Sequence, residues 1–205
     1  MKRILVLAVL ALALPMAVFA SSSIDYSNSG GKLTASASGG LTLSGSDLSE
    51  IRYFPSGTTS CSSGCGTVSF TTGALLSGSL AMGGTFANGG SFTIMGSGMN
   101  GAPSGVLFTG TFSGPNPVTW TLNTLADGSH TYTLSGTLVG TTNTGLKTVG
   151  STVQLTVNTG TGFFDGSVQV GSGDTNIVVP EPGSLGLLGT GLIGLAGIVR
   201  RKLKA

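Results

Sequence analysis

Apolar and polar residues alternate along the middle of the chain, between residues 31 and 178. Tyr132 and Leu134 form one such pair, and Val153, Leu155 and Val157 form a longer run. A period of two is typical of β-strands that bury one face. Pairs that favour tight turns separate the runs: Asn88-Gly89, Asp127-Gly128 and Asp165-Gly166. The pattern predicts about ten short strands in an antiparallel, jelly-roll-like β-sandwich, because helical crossovers for a parallel sheet are missing.

Three five-residue stretches share an apolar, hydroxyl, glycine, hydroxyl, apolar pattern: residues 76–80, 108–112 and 134–138. Their starting points are 32 and 26 residues apart. Since a β-solenoid repeats at a fixed period, we interpret the stretches as similar strands in which the glycine faces solvent or forms a bulge. A β-solenoid stays open as the alternative fold.

The composition favours an exported all-β protein. The 205 residues include 36 Gly and 7 Pro, which disfavour helix interiors, and 40% of the chain is hydrophobic. Charged residues make up 8% of the chain, against roughly 25% in ordinary soluble domains. Residues 21–180 hold three basic and six acidic side chains, so they offer no basic surface for nucleic-acid phosphates. We expect no nucleic-acid partner.

Residues 1–20 have the pattern of a secretory signal peptide. A basic start precedes an apolar run over residues 4–14, and Val-Phe-Ala then precedes three serines. This arrangement places signal-peptidase cleavage between Ala20 and Ser21. The apolar run is too short to remain as a membrane-spanning helix, because a bilayer core of about 30 Å needs about 20 residues. The expected partners are therefore the Sec machinery and signal peptidase.

A second apolar run covers residues 183–199 and is followed at once by Arg200, Arg201 and Lys202. A helix of this length reaches about 25 Å, the short end of what spans a bilayer, and basic residues beside a span stay in the cytoplasm. We predict one C-terminal transmembrane helix that anchors residues 21–178, a β-rich exported domain, to the periplasmic side of the inner membrane. A buried amphipathic helix is the alternative.

Pro180, Glu181 and Pro182 precede this apolar run. Each proline fixes its own φ, removes a backbone donor and restricts the residue before it to extended conformations. We expect the segment to stand clear of the fold as an extended strand that a processing enzyme can bind. The alternative is a stiff linker with Pro182 at the start of the helix.

Residues 179–205 closely resemble the C-terminal region of bacterial PEP-CTERM proteins. The resemblance lies in the order of Val179-Pro180-Glu181-Pro182, a short Gly/Leu-rich helix and a basic end. It implies a sorting signal recognised by an exosortase, a membrane-embedded Cys-dependent enzyme of Gram-negative bacteria, commonly ones that make exopolysaccharide. By resemblance, Pro180, Glu181 and Pro182 are the recognition residues. The protein would then move from the inner membrane to the cell surface or extracellular matrix, with the role of residues 21–178 left undefined.

Cys61 and Cys65 are the two cysteines of the chain. An even count in an exported protein favours a disulfide, and Gly64 helps such a small loop to close. A free pair is the main alternative. A metal site would need further ligands, so we expect no bound metal and no cofactor.

His130 is the sole histidine, with Asp127 and Ser129 close to it in the sequence. A Ser-His-Asp site requires three groups that converge in space, and the turn at Asp127 explains these residues more simply.

Residues 171–176 resemble a calcium-binding loop, but a single copy is more typical of a polar linker. The acidic residues are scattered, so a glycosidase pair could form only through long-range folding. We expect no catalytic residue.

Three classes of function remain for the exported domain. The first is a non-catalytic protein of the cell surface or extracellular matrix. The second is a module that binds carbohydrate, such as exopolysaccharide, through Trp120 or Tyr132 on an exposed sheet face, although Trp120 and the pair Phe163-Phe164 are more typical of a core. The third is a secreted hydrolase, which would need a pocket that joins His130 or two carboxylates.

Overall fold

The computed structural model describes residues 21–36, 39–148, 150–180 and Gly191. The regular elements among them are thirteen strands. In chain order these are β1 Ser21–Ser29, β2 Lys32–Ala35, β3 Leu41–Phe54, β4 Thr58–Cys61, β5 Gly66–Thr71, β6 Leu75–Ser79, β7 Gly83–Phe86, β8 Gly89–Ser97, β9 Ser104–Phe112, β10 Val118–Thr124, β11 His130–Thr142, β12 Ser151–Gly160 and β13 Ser167–Pro180.

The strands form one closed antiparallel sheet. The thirteen strands occupy eight positions around this sheet, since short consecutive strands share a position. Each position pairs with the positions before and after it in the chain, and β13 then pairs with β2, with Val168 opposite Leu33. β13 also lies beside β1. Because the end of the chain pairs with its beginning, the sheet closes into an eight-stranded up-and-down barrel.

Several of the eight positions are made of two or three short strands that follow one another in the chain. β1 and β2 both pair with β3 in nearly continuous register, with a break at Gly30 and Gly31. A side chain at Gly31 would lie 2.4 Å from the backbone nitrogen of Ser46, and its φ is +75°, so only glycine fits at this break. In order around the barrel, the positions are β1–β2, β3, β4–β6, β7–β8, β9–β10, β11, β12 and β13.

Inward side chains fill the barrel. Four phenylalanine rings, with neighbouring centroids 5.6–6.1 Å apart, form its centre: Phe70, Phe92, Phe108 and Phe112. Two inward glycines of β11 make room for them. A Cβ at Gly136 would lie 2.9 Å from the Phe112 ring, and one at Gly140 would lie 2.5 Å from the Phe108 ring. The sequence therefore places small residues on β11 beside large ones on the adjacent strand β9, which is how a narrow barrel reaches dense packing.

The predicted β-sandwich is wrong, and the solenoid alternative is wrong as well. The all-β, antiparallel part of the prediction is confirmed. Two packed sheets would each keep edge strands, whereas pairing of β13 with β1 and β2 joins the ends of a single sheet. Alternation of apolar residues is the same in a sandwich and a barrel, so the pattern alone did not distinguish them.

The interpretation of the glycine-centred stretches needs a partial correction. Gly110 and Gly136 face the barrel interior rather than solvent, since a Cβ on either would collide with a phenylalanine ring. Gly78 does lie at an irregular point, with a φ of +79° beside a register shift between β6 and β7. Their shared pattern thus reflects two different local structures.

The predicted C-terminal helix lies on residues 183–199, of which only Gly191 is described. Within the described part of the chain, no helix has the length and apolar character needed to cross a membrane. Residues Ser23–Val179 form one compact unit, which is the barrel.

Candidate functional site

The sorting segment begins inside the last barrel strand. Ile177 and Val179 are buried, with 0% and 6% of their surface exposed. Between them, the Val178 backbone N–H donates a hydrogen bond to Ser151 Oγ on β12 at 3.1 Å. Val179 and Pro180 are therefore the last two residues of β13. Pro180 was expected to stand clear of the fold with Glu181 and Pro182, and it instead ends a barrel strand, whereas the other two residues of that segment lie outside the described part of the chain.

The other predicted signal residues lie mostly beyond the described residues. Ser21, on one side of the expected cleavage bond, is the first residue of β1. The rest fall outside the described part of the chain: Ala20, Glu181, Pro182, Arg200, Arg201 and Lys202.

Trp120 and Tyr132 lie in the core, at the end of the barrel where the loop after β6 and the loop before β13 meet. Their exposed fractions are 1% and 0%, and their rings stack with centroids 4.9 Å apart. Trp120 Nε1 donates to the Leu80 carbonyl at 2.8 Å. Neither ring is available on a sheet face, so the predicted carbohydrate platform does not exist at these two residues.

The Tyr132 hydroxyl joins two loops over this end of the barrel. It donates to the Ala81 carbonyl at 2.6 Å and accepts from the Phe164 backbone N–H at 3.0 Å. Phe164 packs edge-on against Trp120 with ring centroids 5.7 Å apart. Buried polar groups are costly unless they are paired, so these contacts fix the loops as a cap. We call Leu80, Ala81, Trp120, Tyr132 and Phe164 the aromatic cap.

His130 packs beside this cap and has no catalytic partner among the described residues. Its Nδ1 lies 3.3 Å from the Gly162 carbonyl, and its ring stacks on half-exposed Phe163 at 4.4 Å. Asp127 instead accepts hydrogen bonds from the Ser129 hydroxyl and backbone N–H, at 2.7 and 2.9 Å. These bonds hold the pKa of the Asp127 carboxyl below its usual value. The three residues thus form a turn and a ring stack rather than a proton relay.

Cys61 and Cys65 are joined in a disulfide, as the sequence predicted, with Cα atoms 5.9 Å apart. The bridge closes an excursion between β4 and β5, two segments that pair with the same strand, β3. Ser97 and Asn100 bind this excursion by donating hydrogen bonds to the Gly64 and Ser63 carbonyls. The disulfide therefore has a structural position in the barrel wall.

Residues 171–176, which resemble a calcium loop in sequence, are an extended part of β13. Asp174 faces outward near Asp25, and Asn176 donates a hydrogen bond to the Asp25 carboxylate. Partial burial, and then the charge of Asp25, raise the pKa of Asp174 above its usual value. Among the described residues, no group of three or more His, Cys, Asp or Glu side chains is placed to hold a metal ion.

Rows of hydroxyl side chains cross the outer wall, a feature that sequence reasoning missed. One row consists of successive cross-strand partners on β10, β11, β12 and β13: Thr121, Thr133, Thr156 and Ser172. The amides of Asn123, Gln154 and Asn158 flank it in the adjoining rows. The outward threonines were visible in the alternation, but their alignment depends on strand register, which the sequence does not show.

Comparison with known proteins supports the sorting segment. Residues 178–202 match the family model of the PEP-CTERM protein-sorting motif. No curated protein and no solved structure matches the chain. The described part of the chain is therefore an all-β barrel followed by a sorting motif. More particularly, residues 178–202 carry the PEP-CTERM protein-sorting motif, which indicates an exported protein that is sorted to the cell surface with an exosortase-type enzyme as processing partner.

Proposed function

We propose that the protein is a non-catalytic component of the cell surface or extracellular matrix, released from its C-terminal membrane helix by an exosortase. The match of residues 178–202 to the sorting motif carries the proposal. The filled interior supports the non-catalytic role, because the large aromatic residues pack the barrel and its cap rather than line a pocket. The disulfide suits a protein that works outside the cell.

Fractionation of tagged protein tests this role in a host that carries the sorting enzyme. One tag belongs after Gly57, an exposed turn residue with no neighbouring atom within 4 Å of its Cβ position, and the other follows Ala205. The wild type should lose the second tag and reach the surface. Glu181→Gln removes the charge from the Pro-Glu-Pro segment, and it should hold both tags in the inner membrane. If this variant is processed as efficiently as the wild type, the segment is only a linker.

A second candidate role is the binding of an uncharged polysaccharide on the row Thr121, Thr133, Thr156 and Ser172. The row offers aligned hydroxyls on four neighbouring strands, which lie about 4.8 Å apart in any sheet. Flanking amides add paired donors and acceptors. A second hydroxyl row, through Ser69, Thr93, Thr109 and Thr141, lies close to exposed apolar side chains such as Met95 and Val139. The first row is therefore the better candidate.

Affinity electrophoresis in gels containing the host's purified exopolysaccharide tests this second role. The double change Thr133→Val and Thr156→Val should abolish retardation, because it removes two hydroxyls and keeps the shape. The matched control, Thr93→Val with Thr109→Val, should be retarded like the wild type. Equal retardation of all three proteins would show that the first row does not bind this polymer.

A further inference from the structure

The match to the sorting motif begins at residue 178, so its first residues also belong to β13. There the barrel holds Val178 through a backbone hydrogen bond and Val179 through burial of its side chain. Val179 is buried, the Val178 N–H is bonded to Ser151 Oγ, and β13 lies between β12 and the β1–β2 position. Ile177, just before them, is fully buried.

An enzyme that cuts a chain binds several residues as an extended strand, using their backbone groups and alternate side chains. In β13 the Val178 N–H and the side chains of Ile177 and Val179 already make contacts within the barrel. To offer Val178 or Val179, the protein would have to separate β13 from its neighbours and expose Ile177 and Val179 to water, at the cost of buried apolar surface.

From these contacts we infer that Val178 and Val179 serve the barrel rather than the sorting enzyme, and that the folded barrel shields the chain through Val179. Processing then cuts on the C-terminal side of Pro180 and leaves β13 whole. In hydrolysis one peptide C–N bond breaks, the carbonyl carbon takes oxygen from water, and the amine of the released segment takes a proton. The location of the cut rests on the proposed function; the shielding does not.

Elastase, which cuts after small apolar residues, tests the shielding on the full chain in detergent. The measured quantity is the rate of cleavage within residues 170–179, read by mass spectrometry. Val179→Asp places a charge at a buried position and should raise this rate at least about tenfold. Val139→Asp is the matched control, because Val139 is 49% exposed on β11 and should leave the rate unchanged.

Ser151→Ala is the milder variant, in case Val179→Asp fails to fold. It removes one hydrogen-bond acceptor and should raise the rate about fivefold. If the wild type is cut within residues 170–179 as fast as Val179→Asp and Ser151→Ala, the shielding is refuted.

The intact mass of protein recovered from the surface of the native host tests the position of the cut. A C-terminus at Pro180 or later supports the inference. A C-terminus at Val179 or earlier overturns it while leaving exosortase processing intact. If only unprocessed chain is recovered, the proposed function fails, and with it the position of the cut, whereas the elastase result still decides the shielding.

Discussion

The Tyr132 hydroxyl offers a sharp test of the aromatic cap. Tyr132→Phe keeps the ring that stacks on Trp120 and removes only the oxygen that bonds Ala81 and Phe164. Tyr53→Phe makes the same chemical change at a partly buried tyrosine whose hydroxyl forms no hydrogen bond within the described residues. The two variants therefore separate the loss of the bridging contacts from the loss of a hydroxyl.

The expected magnitude follows from the partners left behind. The Phe164 N–H is buried under a side chain that is 4% exposed, and an unpaired buried donor costs about 1–3 kcal/mol. The Ala81 carbonyl is half-buried and can form a hydrogen bond with water instead. The loss of its bond to Tyr132 therefore adds about 1 kcal/mol to the destabilisation. Tyr132→Phe should lower the free energy of unfolding by about 2–4 kcal/mol, and Tyr53→Phe by less than about 0.5 kcal/mol.

Urea unfolding of residues 21–180 measures the difference. Trp120 is the sole tryptophan and is buried, so its fluorescence reports unfolding of the cap, while far-UV circular dichroism follows the strands. With a slope of roughly 2 kcal/mol per molar urea, the midpoint of Tyr132→Phe should fall by about 1–2 M. Equal midpoints for Tyr132→Phe and Tyr53→Phe would refute the bridging role of the hydroxyl.

Three further predictions concern the barrel wall. Beginning the domain at residue 31 instead of 21 removes β1 from between β13 and β3, so the shorter protein should lose its cooperative unfolding transition in circular dichroism while the longer one keeps it. Replacing Cys61 and Cys65 together by serine should lower the free energy of unfolding in urea by about 2 kcal/mol, the loop entropy of a five-residue ring, and a loss above about 4 kcal/mol would contradict a purely local role. Because the pKa of Asp174 is raised in the folded state, its ionisation opposes folding; Asp174→Asn should stabilise the protein at pH 7, with a gain that disappears in unfolding curves recorded below the usual aspartate pKa.

The alternation of apolar residues was a reliable guide to which side chains are buried. Tyr132, Leu134, Val153, Leu155 and Val157 all face the interior as their spacing predicts. The period of two is a property of the strand itself, so it survives whatever sheet the strand joins. The disulfide was equally local, since its cysteines are four positions apart in the chain.

Closure of the barrel could not be predicted in this way, because it depends on the pairing of β13 with β2 and with β1, and the sequence gives little sign of β1. That strand, with the sequence SSSIDYSNS, is mostly polar, so it carries little periodic signal. Its inward Asn28 is tolerated because the side-chain amide donates to Ser46 Oγ at 2.7 Å, a partner on the neighbouring strand. This hydrogen bond joins residues 18 positions apart, so it depends on the tertiary fold and no local sequence pattern reveals it.

The same limit applies to the candidate sites. The sequence favoured a core position for Trp120 but left an exposed platform open, because its hydrogen-bond acceptor, Leu80, lies 40 residues earlier in the chain and no local pattern connects the two. At the start of the sorting segment, proline chemistry indicated an extended backbone, but an extended segment can end a barrel strand as readily as it can form a free tail. The burial of Val179 and the hydrogen bond from the Val178 N–H to Ser151 Oγ place these two residues in the barrel.

The central claim is that an exosortase sorts this barrel protein to the surface. The most direct measurement compares the native host with a strain that lacks the exosortase, using the intact mass and the membrane fraction of the protein. The account predicts that the parent strain yields surface protein without Arg200, Arg201 and Lys202, whereas the deletion strain accumulates a chain that ends at Ala205 in the inner membrane. The same mass and the same location in both strains would contradict it.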